Sequence, residues 1–201
     1  MLKFIKGVEF DGADKLSEGY QIVDANWVCA NVNADKIRKV IDKFISLESS
    51  MMFCLFIEVP LKQEHEDLII GSSTRHVDVY YLDFLTAQQL KDILDNVGSI
   101  LVNDGLSIFG VLSQSGNEIG KYRYNVMKAC SQSGDLTVFR KLFRQLDMPQ
   151  TNELKTAWSL FTDENPGISS SYSENGRDIY DVVAELTKVG MYKAELREQQ
   201  N

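Results

Sequence analysis

The apolar segment from Met51 to Ile57, which ends at Glu58-Val59-Pro60, constrains the fold of this chain more than any other segment. It is shorter than a typical buried helix, and the proline that follows it has no backbone N–H to continue a regular structure. Short, continuously apolar runs are typical of strands that are covered on both faces. Residues 51–59 are therefore predicted to form a central, buried strand.

A second strand is indicated between Val77 and Leu82, where side-chain character alternates. Successive side chains of a strand point to opposite faces, so Asp78 and Tyr80 would share one face and Val77 and Val79 the other. We expect one of these faces to be at least partly in contact with water.

Four further segments have apolar residues at the three- and four-residue spacing of an amphipathic helix. Their first residues or N-caps are expected at Asn33, Thr86, Asp135 and Asp178. Side-chain oxygens of Asn33 and Thr86 can accept hydrogen bonds from the first turn of a helix. Gly98 is expected to end the second helix in a left-handed conformation, and Gly190 the fourth. A shorter helix is expected near residues 152–160.

Three strands are predicted to form a meander in the middle of the chain, at residues 99–102, 106–112 and 118–129. Asp104-Gly105 is expected to form the first hairpin turn, because this dipeptide readily adopts positive backbone angles. A strand is also expected within residues 20–32. The pattern predicts one α+β domain over residues 1–201, with a mainly antiparallel sheet, a central meander and four or five covering helices.

The charge of the chain argues against nucleic acid as its main partner. Its 29 acidic and 21 basic side chains give a formal net charge of -8, whereas binding to phosphates needs a dense basic surface. The acidic residues from Glu9 onward rule out a secretory signal at the N-terminus, and no apolar run is long enough to span a membrane. Cys29, Cys54 and Cys130 lie apart among apolar residues, which favours reduced thiols and a cytoplasmic location.

Motifs for metal, nucleotide or nucleophilic chemistry are missing from the sequence. It has two histidines, no Cys-x-x-Cys pair and no glycine-rich phosphate loop, so we expect no metal and no cofactor. The one local cluster of titratable groups is Glu64-His65-Glu66-Asp67. A small cytoplasmic hydrolase that uses carboxylates with His65 is therefore the alternative function, although a solvated loop is the stronger interpretation of these residues.

Acidic and tyrosine residues in strands and loops could form a surface that binds a protein. Tyrosine is common at interfaces, and long polar segments such as residues 162–177 are unusual in compact domains unless they bind something or are disordered. We expect partner binding, and no catalysis, from the following residues: Asp78, Tyr80, Asp83, Asp104, Asp163, Glu164, Tyr172 and Glu174.

Several segments together resemble a known group of proteins. They are residues 77–83 (VDVYYLD), 102–110 (VNDGLSIFG), 120–126 (GKYRYNV), 156–158 (TAW) and 165–167 (NPG). These segments resemble poorly characterised bacterial cytoplasmic proteins that are associated with the immunity proteins of secreted polymorphic toxins. The resemblance implies a small, non-enzymatic α+β protein that binds and neutralises a toxin domain, and it supplies no catalytic residues. An acidic inhibitor would be steered toward a basic toxin face. The oligomeric state is left open.

Overall fold

The computed structural model of the chain describes residues 1–67 and 75–198. In chain order its strands are β1 (Val8–Glu9), β2 (Gly19–Ile22), β3 (Trp27–Asn31), β4 (Phe53–Pro60), β5 (His76–Leu85), β6 (Ile108–Ser113), β7 (Asn117–Lys121), β8 (Val126–Ser131), β9 (Ile168–Ser169) and β10 (Tyr192–Glu198). Its α-helices are α1 (Ala34–Leu47), α2 (Gln63–Glu66), α3 (Ala87–Asn103), α4 (Thr137–Gln145) and α5 (Ile179–Thr187).

Eight of these strands form one antiparallel sheet in the order β10-β5-β4-β6-β7-β8-β3-β2, while β1 pairs with β9 separately. The predicted central strand is β4, in which Ile57 lies opposite Tyr80 of β5 and Phe109 of β6. Strands β6, β7 and β8 follow one another as a meander. The predicted fold class, α+β with a mainly antiparallel sheet and a central meander, is confirmed.

Helix α1 shows why the helices pack on the sheet as they do. It buries the five apolar residues whose spacing predicted it: Ile37, Val40, Ile41, Phe44 and Ile45. The ring of Phe44 stacks on Phe139 of α4 with 5.9 Å between ring centroids. Each large side chain buried in this way contributes about 1.5–3 kcal/mol relative to an exposed one, so the stripe holds the helix on the core.

The cap expected at the start of α1 is replaced by a tertiary contact. Asn33 is the N-cap residue, but its side chain makes no cap hydrogen bond. Its Oδ1 instead accepts from the backbone N–H of Lys3 at 2.9 Å. Asn33 therefore attaches the N-terminal segment to the start of the helix.

Helix α3 begins as predicted and ends later than predicted. Thr86 and Gln89 form a reciprocal capping box at its start. Gly98 does not end the helix, which continues to Asn103, so the strand expected at residues 99–102 is wrong. A Cβ atom at Gly98 would lie 3.0 Å from Nη1 of Arg38, which donates to the Leu94 carbonyl at 2.5 Å. The absence of a side chain at Gly98 leaves room for this close approach.

The meander uses a different turn from the one predicted. Asp104-Gly105 connects α3 to the segment before β6, and the β6–β7 hairpin turns at residues 114–116, where Gly116 has a φ of 84°. The third predicted strand is divided into β7 and β8 by Tyr124 and Asn125, which have φ values of 56° and 60°. The buried Asn125 amide donates to the carbonyls of Lys3 and Val32. It thereby stabilises the break between the two strands.

Three parts of the chain had no strand prediction or an incomplete one. Residues 20–32 contain two strands, β2 and β3, joined by a turn in which Asp24 accepts from the backbone of Asn26 and Trp27. The edge strand β10 was missed. The polar segment 162–177 is ordered against the rest of the protein, because β9 pairs with β1 and the Tyr172 N–H donates to Asp104.

Helices cover only one face of the large sheet in the described part of the chain. Leu55 and Ile57 of β4 belong to the buried cluster that contains the helix residues, whereas Phe56 between them does not. The predicted central, buried strand is confirmed, because Leu55, Phe56 and Ile57 are 0%, 6% and 0% exposed, although no described helix covers the Phe56 side. We call the side of the sheet that carries Phe56 the open face. The segment around Lys155, whose carbonyl accepts from Asn31, crosses it near β3.

Candidate functional site

A pair of glycines leaves a hollow in the middle of the open face. Gly110 of β6 lies directly opposite Gly120 of β7. A Cβ atom at Gly110 would lie 2.5 Å from the Phe56 ring, so this ring lies flat over the space that two side chains would otherwise fill. The Phe56 ring therefore forms the floor of a depression that is bordered by polar side chains.

A groove of about 450 Å³ lies on the open face beside this floor. We call it the Arg123 groove, and its lining consists of Cys29, Glu58, Val77, Leu106, Ile108, Tyr122, Arg123, Val126, Lys128, Thr156, Trp158 and Arg197. Trp158 forms one wall and is held edge-to-face against Tyr124 and Phe161, with centroid distances of 5.1 and 5.2 Å. The groove therefore has rigid aromatic and aliphatic walls around several charges.

Glu58 and Arg197 form an ion pair in this groove. Glu58 is 9% exposed. Burial raises the pKa of Glu58, and the positive charge of Arg197 acts in the opposite direction. The two residues come from strands β4 and β10, which lie on either side of β5. The pairing of these three strands therefore brings together residues that are far apart in the sequence.

Tyr122 and Glu118 extend the polar part of the open face along β7. Burial raises the pKa of Glu118, and the nearby Glu58 carboxylate raises it further. Burial is also the main cause of the raised pKa of Tyr122, followed by the charges of these two carboxylates. Nζ of Lys128 lies over the Tyr122 ring, 4.5 Å from its centroid, in a cation–π contact. The Tyr122 hydroxyl is therefore protonated at neutral pH.

Arg123 is the least satisfied charge in the groove. Its side chain is half-buried, and its Nε is buried without a hydrogen-bond partner among residues 1–67 and 75–198. Burial lowers the pKa of Arg123, while the charges of Tyr124 and Glu58 raise it. A guanidinium nevertheless stays protonated in proteins, so the unfavourable burial of the charge remains.

The charge of the groove differs in sign from that of the whole chain. Within its described lining, three cations, Arg123, Lys128 and Arg197, surround the single carboxylate of Glu58. The difference, three minus one, is a net charge of +2, in a chain with a net charge of -8. The groove can therefore attract an anionic group that the rest of the surface repels.

The predicted partner-binding residues do not form one surface. Asp78 accepts from Tyr80 at 3.3 Å and pairs with Lys193 at 2.6 Å on the helix side of the sheet. Asp83 accepts from the Tyr192 hydroxyl at 2.7 Å. These contacts show that Asp78 and Asp83 already have partners within the fold.

Asp104 has a structural position, so the prediction that it belongs to a binding surface is wrong. It is 0% exposed, and its carboxylate accepts from the backbone of Leu106, Ser107 and Tyr172. The Tyr172 hydroxyl donates to Glu174 at 3.1 Å, so these two predicted residues do lie together. Asp163 and Glu164 are exposed in the turn between Thr162 and Asn165.

The titratable groups of Glu64-His65-Glu66-Asp67 are arranged differently from the predicted hydrolase site. Glu66 accepts from both the backbone N–H and Nδ1 of His76, at 2.5 and 2.9 Å, and these bonds lower the pKa of Glu66. Asp67 accepts from Gln63. Glu64 and His65 line a second groove with Asp78, Tyr80 and Tyr180. In the part of the chain that the structure describes, no group of three His, Cys, Asp or Glu side chains could hold a metal ion.

Sequence reasoning missed the residues that form the Arg123 groove. One signal was available, because Glu58 interrupts a segment that is otherwise apolar from Met51 to Val59. A charged residue in a central strand needs a partner or a function. The partner, Arg197, lies in a strand that was not predicted. The convergence could therefore not be seen in the sequence.

Comparisons with protein-family models, curated proteins and solved structures find no match to this chain. The resemblance to immunity proteins therefore stays a prediction. Among the described helices, none has both the length and the apolar character needed to cross a membrane.

Proposed function

We propose that this protein is a non-enzymatic binding module that contacts a protein partner with the open face of its sheet. One observation carries the proposal: this face presents exposed aromatic residues around a groove that is already formed. Trp27 is 41% exposed, Trp158 41% and Tyr192 49%. Tryptophan, tyrosine and arginine are the residues that most often dominate binding energy at protein interfaces.

The aromatic residues extend along the open face as far as its β10 edge. The rings of Phe56 and Tyr81 lie 6.5 Å apart, and those of Tyr81 and Tyr192 lie 6.4 Å apart. Together with the Arg123 groove they give a surface with a central depression and large rigid side chains on both sides. Such a surface offers anchors in the middle and a polar rim, which is the arrangement of a typical interface.

The proposed partner is the toxin domain that the resemblance to immunity proteins implies. Strong net negative charge supports this choice, because it steers a basic domain toward the protein at long range. The exposed Asp163 and Glu164 can contribute to this steering. Steering acts on the association rate, whereas the aromatic anchors determine how slowly the complex dissociates.

Co-purification from the native host, followed by affinity measurements on purified variants, tests the proposal. Replacing Trp27 or Tyr192 by alanine should weaken binding at least tenfold, because each removes an exposed ring from the open face. Ile168→Ala is the matched control, since Ile168 is an exposed apolar residue outside the large sheet; it should change affinity less than threefold. Equal effects of the three variants would contradict the assignment of the open face.

The enzyme alternative is favoured by one observation on the same face. Glu58 and Glu118 both have a raised pKa caused mainly by burial, and paired carboxylates with shifted pKa values are common in hydrolases. The ion pair with Arg197 restrains Glu58 and makes binding the better-supported function. Turnover of a small substrate that is lost in Glu118→Gln, with no protein partner recovered, would establish the alternative instead.

A further inference from the structure

The three positively charged side chains of the Arg123 groove differ in whether another residue pairs with them. Arg197 is paired with the Glu58 carboxylate. Lys128 is exposed to water and rests on the Tyr122 ring. Arg123 has no ion pair or side-chain hydrogen bond to the described residues, and its Nε is buried. A half-buried charge with no ion pair or hydrogen bond is unfavourable, so an added anion would gain most at Arg123.

The residues that line the groove favour a carboxylate next to an apolar group over a phosphate. A guanidinium presents a planar fork of N–H donors that matches the two oxygens of a carboxylate. Glu58, which lines the same groove, would repel a doubly charged phosphate more strongly than a singly charged carboxylate. The aliphatic walls at Val77, Ile108 and Val126 and the Trp158 ring suit an apolar group next to the charged one. The volume of about 450 Å³ lies within the usual range of ligand sites.

We infer that the Arg123 groove receives a carboxylate carried on an apolar group, with Arg123 as its counter-ion. This inference rests on the proposed function, from which it follows that the carboxylate is an aspartate or glutamate side chain of the partner, next to an apolar residue. The net charge of -8 disfavours the approach of free anions at long range. A carboxylate on a partner that is already held by Trp27 and Tyr192 reaches the groove without this disadvantage.

Nuclear magnetic resonance of the arginine Nε–Hε groups tests the site without the partner. The ¹⁵N-labelled protein is titrated with 3-phenylpropionate and, separately, with the neutral 3-phenylpropionamide at constant ionic strength. The Arg123 signal, assigned by its loss in Arg123→Gln, should shift saturably with the acid and not with the amide. Shifts of equal size with both compounds, or no shift with either, would overturn the inference.

Two variants separate recognition of the carboxylate from general charge. Arg123→Lys keeps the positive charge and loses the planar fork, so its affinity for 3-phenylpropionate should fall at least fivefold. Arg140→Gln removes an exposed arginine of α4, a helix on the opposite side of the sheet, and should bind as the unmodified protein does. Equal weakening by both variants would show a nonspecific charge effect and refute the site. The comparison of 3-phenylpropionate with its amide uses only the wild-type protein, so its result does not depend on whether a variant folds.

Binding to the partner then distinguishes failure of this inference from failure of the proposed function. If a partner is recovered and Arg123→Gln binds it at least tenfold more weakly, both stand. If Arg123→Gln binds the partner as tightly as the wild type, the carboxylate inference fails and the proposed function stands. If 3-phenylpropionate binds but no protein partner exists, the proposed function fails, and the assignment of the carboxylate to a partner fails with it.

Discussion

Replacing Asp104 by asparagine should strongly destabilise the fold, although the sequence suggested a surface position for this residue. Oδ1 of the buried carboxylate accepts from the N–H groups of Leu106 and Ser107 at 3.0 and 2.7 Å. Oδ2 accepts from the Tyr172 N–H at 3.0 Å and from the Ser171 hydroxyl at 3.3 Å. The carboxylate therefore joins the end of α3 to the polar segment 162–177.

The magnitude follows from these contacts. In asparagine one of the two oxygens becomes an NH₂ donor; at the Oδ2 position the Tyr172 N–H then loses its acceptor and faces another donor, the Ser171 hydroxyl can turn to accept, and the bonds to Oδ1 lose the carboxylate charge. Hydrogen bonds to charged groups contribute about 1.5–3 kcal/mol each. The buried ammonium of Lys121 also loses a nearby negative charge. We expect Asp104→Asn to lower the free energy of unfolding by about 4 kcal/mol, from one lost hydrogen bond to a charged group, a buried N–H left without an acceptor and the weakening of the remaining bonds.

Urea unfolding at pH 7, followed by circular dichroism, measures this change. Asp163→Asn is the matched control, because it makes the same chemical change at an exposed position. It should alter the free energy of unfolding by about 0.5 kcal/mol or less. If Asp104→Asn lowers that free energy by less than about 1 kcal/mol, the buried carboxylate does not hold these segments together and the reasoning is refuted.

Three further predictions concern buried groups. Burial lowers the pKa of Lys121 from 10.5 to about 8, so between these values the unfolded chain binds a proton that the folded chain does not. The free energy of unfolding, measured in urea relative to Lys121→Met, should therefore rise by about 2 kcal/mol from pH 7 to pH 10; a fall would contradict the lowered pKa. Gly110→Ala should cost about 2 kcal/mol in the same assay, because the new Cβ would lie 2.5 Å from the Phe56 ring. Phe56→Leu in the same chain should recover only part of this cost, because the Ile119 carbonyl would also lie 2.7 Å from that Cβ; no recovery would show that the ring is not the obstacle. The thiols of Cys29, Cys54 and Cys130 should react slowly with a disulfide reagent at pH 8 and rapidly after denaturation, because burial raises the pKa of each thiol, at Cys130 to about 11. Fast reaction of the native protein would contradict this.

The parts of the fold that could be predicted are those in which local pattern and tertiary environment agree. Helix α1 has one buried stripe, so its apolar spacing predicted both its position and its five buried residues. The N-cap at Thr86 is a local feature and was equally readable. Gly98 misled the prediction because glycine serves both as a helix stop and as a site of close packing. Only the position of Arg38 shows which applies.

The candidate site could not be predicted because it depends on strand order and register. Strand β10 has the sequence YKAELRE, whose charged residues point to both faces of an edge strand, so it lacks the apolar signal of an inner strand. Without β10 there is no partner for Glu58. Arg123 lies at the break between β7 and β8, where left-handed residues interrupt what looked like one strand. The sequence therefore indicated which residues are apolar, and not which charges meet.

The position of β10 in the chain also determines how long the edge of β5 stays exposed during synthesis. Arg197 pairs with Glu58, 139 residues earlier in the chain, and β10 covers the edge of β5. Until the ribosome has released residue 197, β5 is an unprotected edge with the apolar side chains of Val77 and Val79. Such edges promote association between chains. Completion of the Arg123 groove and protection of the β5 edge therefore depend on the same strand, β10.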